Sequence, residues 1–126
     1  MKLLLDTHAF LWAAAEPGEL STKARRAIRS SENELFVSAV SAWEIATKFR
    51  LGKLLGAEVV VGNFPTIVLS LRASDLAITR AHALRAGSYA KTHPDPFDRI
   101  LAAQAEIEGV ALISKDRALR QFGVEL

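Results

Sequence analysis

The sequence contains no cysteine, which excludes a disulfide framework and thiolate-bound zinc and leaves nothing that points to an oxidising compartment. Long apolar runs are missing too. No stretch reaches the roughly 18 uninterrupted apolar residues of a membrane span, and Asp6 interrupts the run at Leu3-Leu4-Leu5 too early for a signal peptide. The expectation is a cytoplasmic protein without membrane attachment. Charge of one sign is scarce: 16 basic against 14 acidic residues give a formal +2, so bulk electrostatics do not announce a polyanion binder. Lys23, Arg25, Arg26 and Arg29 read as the solvated face of one helix. There is no Gly-x-x-x-x-Gly-Lys loop and no Gly-x-Ser-x-Gly elbow, which leaves nucleoside-triphosphate and serine-hydrolase chemistry unsupported. His8, His82 and His93 form no pair at metal-ligand spacing and read as structural residues, with His8 alone close enough to Asp6 to touch a site there.

What is present suits one globular domain. A chain of 126 residues, half of them apolar and 24% charged, can fill one hydrophobic core and is too short for two ordinary domains, so residues 1–126 are read as a single unit. No repeat, low-complexity tract or linker divides it. Lys2 to Leu5 predicts a strand ending at an acid, and Thr7 to Ala15 a helix. Glu16-Pro17-Gly18 breaks the pattern, and Ser21-Thr22 can cap a second helix through Ala24, Ala27 and Ile28. Leu35 to Val37 predicts a strand, Ser38 to Leu51 a helix, and Gly52 its stop.

Leu55 to Gly62 reads as a connection, because Val59-Val60-Val61 suits a strand while Gly56 and Gly62 bracket it as a loop. Phe64 to Leu71 predicts a helix with Pro65 in its first turn, Leu76 to Ile78 a brief strand, and Ala81 to Leu84 a further helix ending at a turn around Gly87-Ser88. His93-Pro94-Asp95-Pro96 cannot continue a helix, but Pro96 can open one that runs to Glu108 and stops at Gly109. Val110 to Ile113 is a buried type of strand, and Arg117 to Phe122 a last short helix. Apolar strands alternating with helices imply an α/β fold, a mainly parallel sheet flanked by helices.

In such a sheet, functional groups gather beyond the carboxyl ends of the strands. Asp6 follows Leu3-Leu4-Leu5 directly, and Asp116 follows the Val110 to Ile113 strand after Ser114-Lys115. Asp98 falls in the first turn of the helix opened by Pro96, with the small residues Ala102 and Ala105 on its face. Glu44, inside the third helix, allows two readings: a surface ion pair with Lys48 at i+4, or a fourth acid beside the other three. The company of those three favours the second. Carboxylates forced together raise one another's pKa unless a cation compensates, and oxygen ligands suit Mg²⁺, or Mn²⁺ in its place, better than zinc. With the four acids so neutralised, 10 acidic side chains remain against 16 basic ones. Activation of water by such an ion points to phosphodiester hydrolysis.

Four segments, Leu4-Leu5-Asp6-Thr7-His8, Ser38 to Ile45, His93 to Ala105 and Ser114-Lys115-Asp116, together resemble the PIN-domain nucleases, and within them the VapC-type toxins of bacterial toxin–antitoxin pairs. The motif order is kept over nearly the whole chain. The resemblance implies a metal-dependent endoribonuclease in which Asp6, Glu44 and Asp98 are the defining acids and Asp116 the more variable fourth. Thr7 and Ser114 match hydroxyl residues that sit beside the metal. It further implies a homodimer and a cognate antitoxin whose C-terminal segment blocks the site; the helices bearing Trp12, Trp43, Phe49 and Leu51 are candidates for that groove. On this reading metal-bound water attacks RNA, and Arg99 or Lys115 contacts phosphate. Asp95, three residues before Asp98, reads as a capping acid. Two other classes stay open: a non-catalytic PIN-like module that binds RNA or protein, and an aspartate-based phosphatase or phosphoacceptor. The haloacid-dehalogenase pattern of the latter wants an acid where His8 stands.

Overall fold

A computed structural model describes residues 1–54, 57–90, 95–116 and 119. Its centre is set by the strand β1 (Lys2–Leu5), whose Leu3, Leu4 and Leu5 are all buried. Successive strand residues point to opposite faces. Leu3 and Leu5 therefore join one core, with Phe10, Leu35, Val37, Ile45 and Ile113. Leu4 joins the other, with Val40, Leu101, Ala102, Ala105 and Leu112. A strand covered on both faces needs no polar alternation, which is why it reads as a continuous apolar run.

Around β1 the sheet has the order β3-β2-β1-β4, with every pairing parallel. The other strands are β2 (Glu34–Ser38), β3 (Ala73–Leu76) and β4 (Ala111–Ile113). Leu4 lies opposite Phe36 on one side and Leu112 on the other. The chain leaves β1 towards β2 and β3, then returns to the far side of β1 as β4, so strand order reverses at β1. Helices α1 (Thr7–Ala15) and α2 (Thr22–Arg29), with a 3-10 turn at Pro17–Glu19, lead to β2; α3 (Ala39–Arg50), α4 (Ala57–Gly62) and α5 (Phe64–Ser70) lead to β3; α6 (Arg80–Ser88) and α7 (Pro96–Glu108) lead to β4. No helix among the described residues is long and apolar enough to cross a membrane.

Most helix ends fall where local chemistry puts them. Ser21 Oγ accepts the Ala24 N–H at 3.0 Å, Ser38 Oγ the Val40 N–H at 3.0 Å, and Asp95 Oδ1 the Phe97 N–H at 2.9 Å. Pro96 opens α7 and Gly109 closes it in the left-handed conformation at φ 66°. The capping role expected for Asp95 is thus the observed one.

Three expectations are corrected. Residues Ala57–Gly62 form α4 rather than a connection: Ala57 and Val60 are buried one turn apart while Val59 and Val61 stay exposed, so packing of one face overrides the strand preference of three valines. The strand expected at Leu76 to Ile78 lies at Ala73–Leu76, because β3 is an edge strand placed by its backbone register on Leu35 to Ser38 and tolerates the exposed Ser74 and Asp75. Gly87 and Ser88 belong to the last turn of α6. Apart from Leu119, which is buried, the helix expected at Arg117 to Phe122 lies outside the described residues, as do His93 and Pro94.

Gly109 terminates α7 and aims the chain into β4. No atom stands within 4 Å of where a Cβ would be added, so an alanine there costs only its backbone strain, about 1 kcal/mol. Gly109→Ala should therefore lower the melting temperature by ~4 °C, measured by circular dichroism. An unchanged melting temperature would show that the turn does not need its positive φ.

Candidate active site

The sheet's carboxyl edge carries the acids. Asp6 is the first residue past β1, and its backbone N–H still donates to Ile113 O at 3.1 Å, extending the ladder to β4. The Asp6 carboxylate then turns to cap α1, Oδ1 accepting the Ala9 N–H at 2.8 Å. Asp116 follows β4, its N–H donating to Ser114 Oγ at 3.0 Å. Asp98 reaches the same edge from the other direction. Since α7 ends just before β4 begins, its first turn must lie at the opposite end, where β4 finishes.

Glu44 arrives on α3, which starts without a gap after β2 and so carries its second turn over the same edge. Ser41, Glu44 and Lys48 lie on one stripe of α3. The Thr7 hydroxyl donates to Glu44 Oε1 at 2.6 Å and lies 3.1 Å from Ser41 Oγ. The Lys48 ammonium donates to Glu44 Oε2. Glu44 is only 3% exposed, so of its two readings the surface ion pair is set aside: the pair exists, but its acid is buried.

Asp6, Thr7, Glu44, Asp98, Lys115 and Asp116 line a single cleft of about 430 Å³, together with His8, Trp12, Lys48 and Asp95. Ser114 lies just beneath, buried, its hydroxyl bonded to Asp6. At the rim the Lys115 ammonium sits 5.3 Å from the centre of the Trp12 ring, and His8 is 5.6 Å from the same ring.

Arg99 is the exception. Its Nε donates to Ala86 O at 2.9 Å and its Nη2 to Tyr89 O at 2.7 Å, so it closes the carboxyl end of α6, whose carbonyls lack helical partners, and it does not line the cleft. Of the two side chains expected to contact phosphate, Lys115 lines the cleft and Arg99 does not. His82 is structural as read: it is buried, Nδ1 accepts the Thr79 N–H at 2.9 Å, and Nε2 bonds Glu108 at 2.8 Å. Sequence reasoning missed Lys48 as part of the cleft wall and Ser41 as the buried hydroxyl behind Thr7. The available signal was their shared stripe with Glu44, polar residues on the face that also buries Val40 and Ile45.

Burial pushes the Asp6 carboxyl above the usual range. Hydrogen bonds from Ser114 and the Ala9 N–H and the field of His8 oppose this, while the charge of Glu44 adds to it. For Lys48, burial works against the charged form, but the hydrogen bond and charge of Glu44, with Asp95 and Asp98, outweigh it and hold the ammonium above its ordinary value. Among the described residues, no three acidic or imidazole groups are already set as ligands of one ion. The donor chemistry nevertheless fits a hard divalent cation: carboxylate oxygens, neighbouring hydroxyls and room for water, around a buried Asp6 whose charge the protein alone leaves incompletely compensated.

Residues 3–125 match the family model described as PIN domain. The chain belongs to the PIN-domain family. Over 119 residues it is 34% identical to Ribonuclease VapC22 of Mycobacterium tuberculosis (strain ATCC 25618 / H37Rv), an alignment covering 94% of this chain and 89% of that protein. Among solved structures, VapBC2 from Rickettsia felis bound to a DNA fragment aligns with TM-score 0.67 at 12% identity, over 100% of this chain and 98% of that one. FitAcB from Neisseria gonorrhoeae aligns with TM-score 0.62 at 22% identity, over 98% and 96%. The two structures share this PIN fold.

An ionised Asp6 costs the metal-free protein stability. Because its folded pKa is raised, the folded state binds the proton more tightly than the unfolded chain does; stability is greatest below the unfolded value and is lost as pH rises through the folded one. Asparagine caps a helix about as well as aspartate without the charge. In EDTA at pH 7, Asp6→Asn should melt a few degrees above the parent, with the gap closing below about pH 4. Equal melting temperatures at pH 7 would contradict this account of Asp6.

Proposed function

We propose that this PIN domain is a VapC-type toxin, a cytoplasmic endoribonuclease that hydrolyses RNA phosphodiester bonds with Mg²⁺ held by Asp6, Glu44, Asp98 and Asp116. The observation that carries this reading is the convergence of those four acids, from four separate segments, on one cleft at the carboxyl edge of the sheet. The 34% identity to a protein named a ribonuclease supports the substrate class. A divalent ion in such a site neutralises the carboxylates, activates water and stabilises charge building on a phosphoryl group.

The chain's own residues supply the rest. Thr7 fixes one Glu44 oxygen and Ser114 bonds Asp6, so the two buried acids keep their orientation. Lys115, exposed at the rim beside Asp116, offers a positive charge to an incoming phosphate. Water adds at phosphorus as the bond to one ribose oxygen breaks, and acidic side chains lining the cleft can accept the proton that water releases.

A cognate antitoxin is the proposed protein partner, and a homodimer the proposed assembly. The likeness to VapBC and FitA–FitB folds supports a partner of the first kind. Trp43, Phe49 and Leu51 are exposed rather than core, Trp43 by 58% and stacked edge-on to Phe97 at 4.7 Å, and are available to such a partner.

The test is cleavage of a labelled single-stranded RNA. Activity should require Mg²⁺ or Mn²⁺ and stop in EDTA. Asp6→Asn and Asp98→Asn should each lower the rate by about 10²–10³-fold or more, the scale of removing one electrostatic stabiliser, in proteins that remain folded. Mutants that cut as fast as the parent would remove the catalytic reading, and RNA binding without cleavage would favour the non-catalytic module.

A further inference from the structure

Glu44 holds a charge that the fold has already answered without a metal. Both of its oxygens are engaged, Oε1 by the Thr7 hydroxyl and Oε2 by the Lys48 ammonium. The two partners differ in kind. Thr7 is buried at the start of α1, whereas the Lys48 side chain is 33% exposed and reaches Glu44 on a flexible stem from one turn further along α3.

The same cleft wall contains Asp6, Asp95, Asp98 and Asp116, and the one other lysine on it among the described residues, Lys115, lies against the Trp12 ring. Lys48 is therefore the cation bonded to the buried acid. A buried carboxylate that loses its partner is strongly penalised, so Lys48 supports the metal-free fold. A divalent ion bound at Glu44 Oε2 would compete with that ammonium, because two cations brought to one oxygen repel each other.

Building on the nuclease reading, we propose that Lys48 is a placeholder cation: its ammonium occupies the Glu44 end of the metal site in the metal-free protein and is displaced when a divalent ion binds. It is a positioning residue. It holds Glu44 in place before the ion arrives, and it sets the affinity of the cluster, because the ion must supply the work of breaking the pair.

Two measurements on the full chain test this, neither of them activity. The first is Mn²⁺ binding by titration calorimetry. Lys48→Met should bind Mn²⁺ about tenfold more tightly or better, Lys48→Arg should bind as the parent does, and Asp6→Asn should bind weakly. In EDTA, Lys48→Met should melt below the parent, with the gap closing when Mn²⁺ saturates. Equal or weaker Mn²⁺ binding by Lys48→Met would overturn the proposal and leave the nuclease reading standing.

The second needs no variant, so it holds even if Lys48→Met does not fold. Heteronuclear NMR of the parent's Lys48 ammonium should show a hydrogen-bonded signal in EDTA that shifts or exchanges away as Mg²⁺ saturates. A signal unmoved at saturating Mg²⁺ would also overturn the placeholder. A parent that binds neither Mg²⁺ nor Mn²⁺ would overturn the metal-dependent reading and the placeholder with it.

Discussion

Like charges resist being brought together, and a low-dielectric surrounding makes them resist more. The organisation of this chain around its cleft follows from overcoming that resistance. Asp6 and Glu44 are buried, Asp98 is half-buried, and Asp95 and Asp116 complete the wall. The sheet supplies the mechanical part of the answer. β1 is held from both sides by parallel neighbours and from both faces by separate cores, so the residue that follows it cannot drift from its neighbours' repulsion. The polar part comes from groups within one or two residues of the acids or one helical turn away: Thr7, Ser114, Lys48 and the first N–H groups of α1 and α7.

Several of these groups serve fold and site together. Asp6 and Asp95 satisfy helix N-termini whose donors would otherwise lack partners, and the helix dipole favours a negative charge at each place. Building acids into caps lowers the cost of gathering them, because each acid contributes to the stability of its helix. Glu44 has no such role. It sits inside α3, where its burial is compensated by side chains, a hydroxyl and an ammonium at once.

The strands at the centre were legible in the sequence because they are apolar on both faces, and Ser38, Pro96 and Gly109 announced helix ends through chemistry that acts locally. So was the gathering of the acids at one edge, since three of them stand beside a strand or helix end, where topology fixes the direction they face. What was not legible depends on partners distant in sequence. Glu44 and Lys48 have the same i,i+4 spacing whether they lie on a surface or in a cleft; only Thr7, 37 positions away, distinguishes the two. Arg99 follows Asp98 at the start of a helix, as a phosphate ligand might, yet α6 packs beside α7 and presents the carbonyls that take it. Strand β3 is placed by the register of β2, and α4 by the side on which its valines find a core.

The charge balance of the cleft decides how it can receive a polyanion. Five carboxylates against Lys48 and Lys115 make its wall repel phosphate, while the chain as a whole carries a formal +2. Among the described residues, positive charge outside the cleft includes that of α2, whose Lys23 and Arg26 are exposed. On the proposed nuclease reading, such a surface would draw RNA in at long range, and its phosphates would enter the acidic wall once the wall's charge has been reduced. A lysine can offset one carboxylate and a divalent ion two, so the two described lysines alone leave this wall negative. The charge count of the described cleft wall thus supports the proposed use of a divalent cation, as does the chemistry of the bond to be broken.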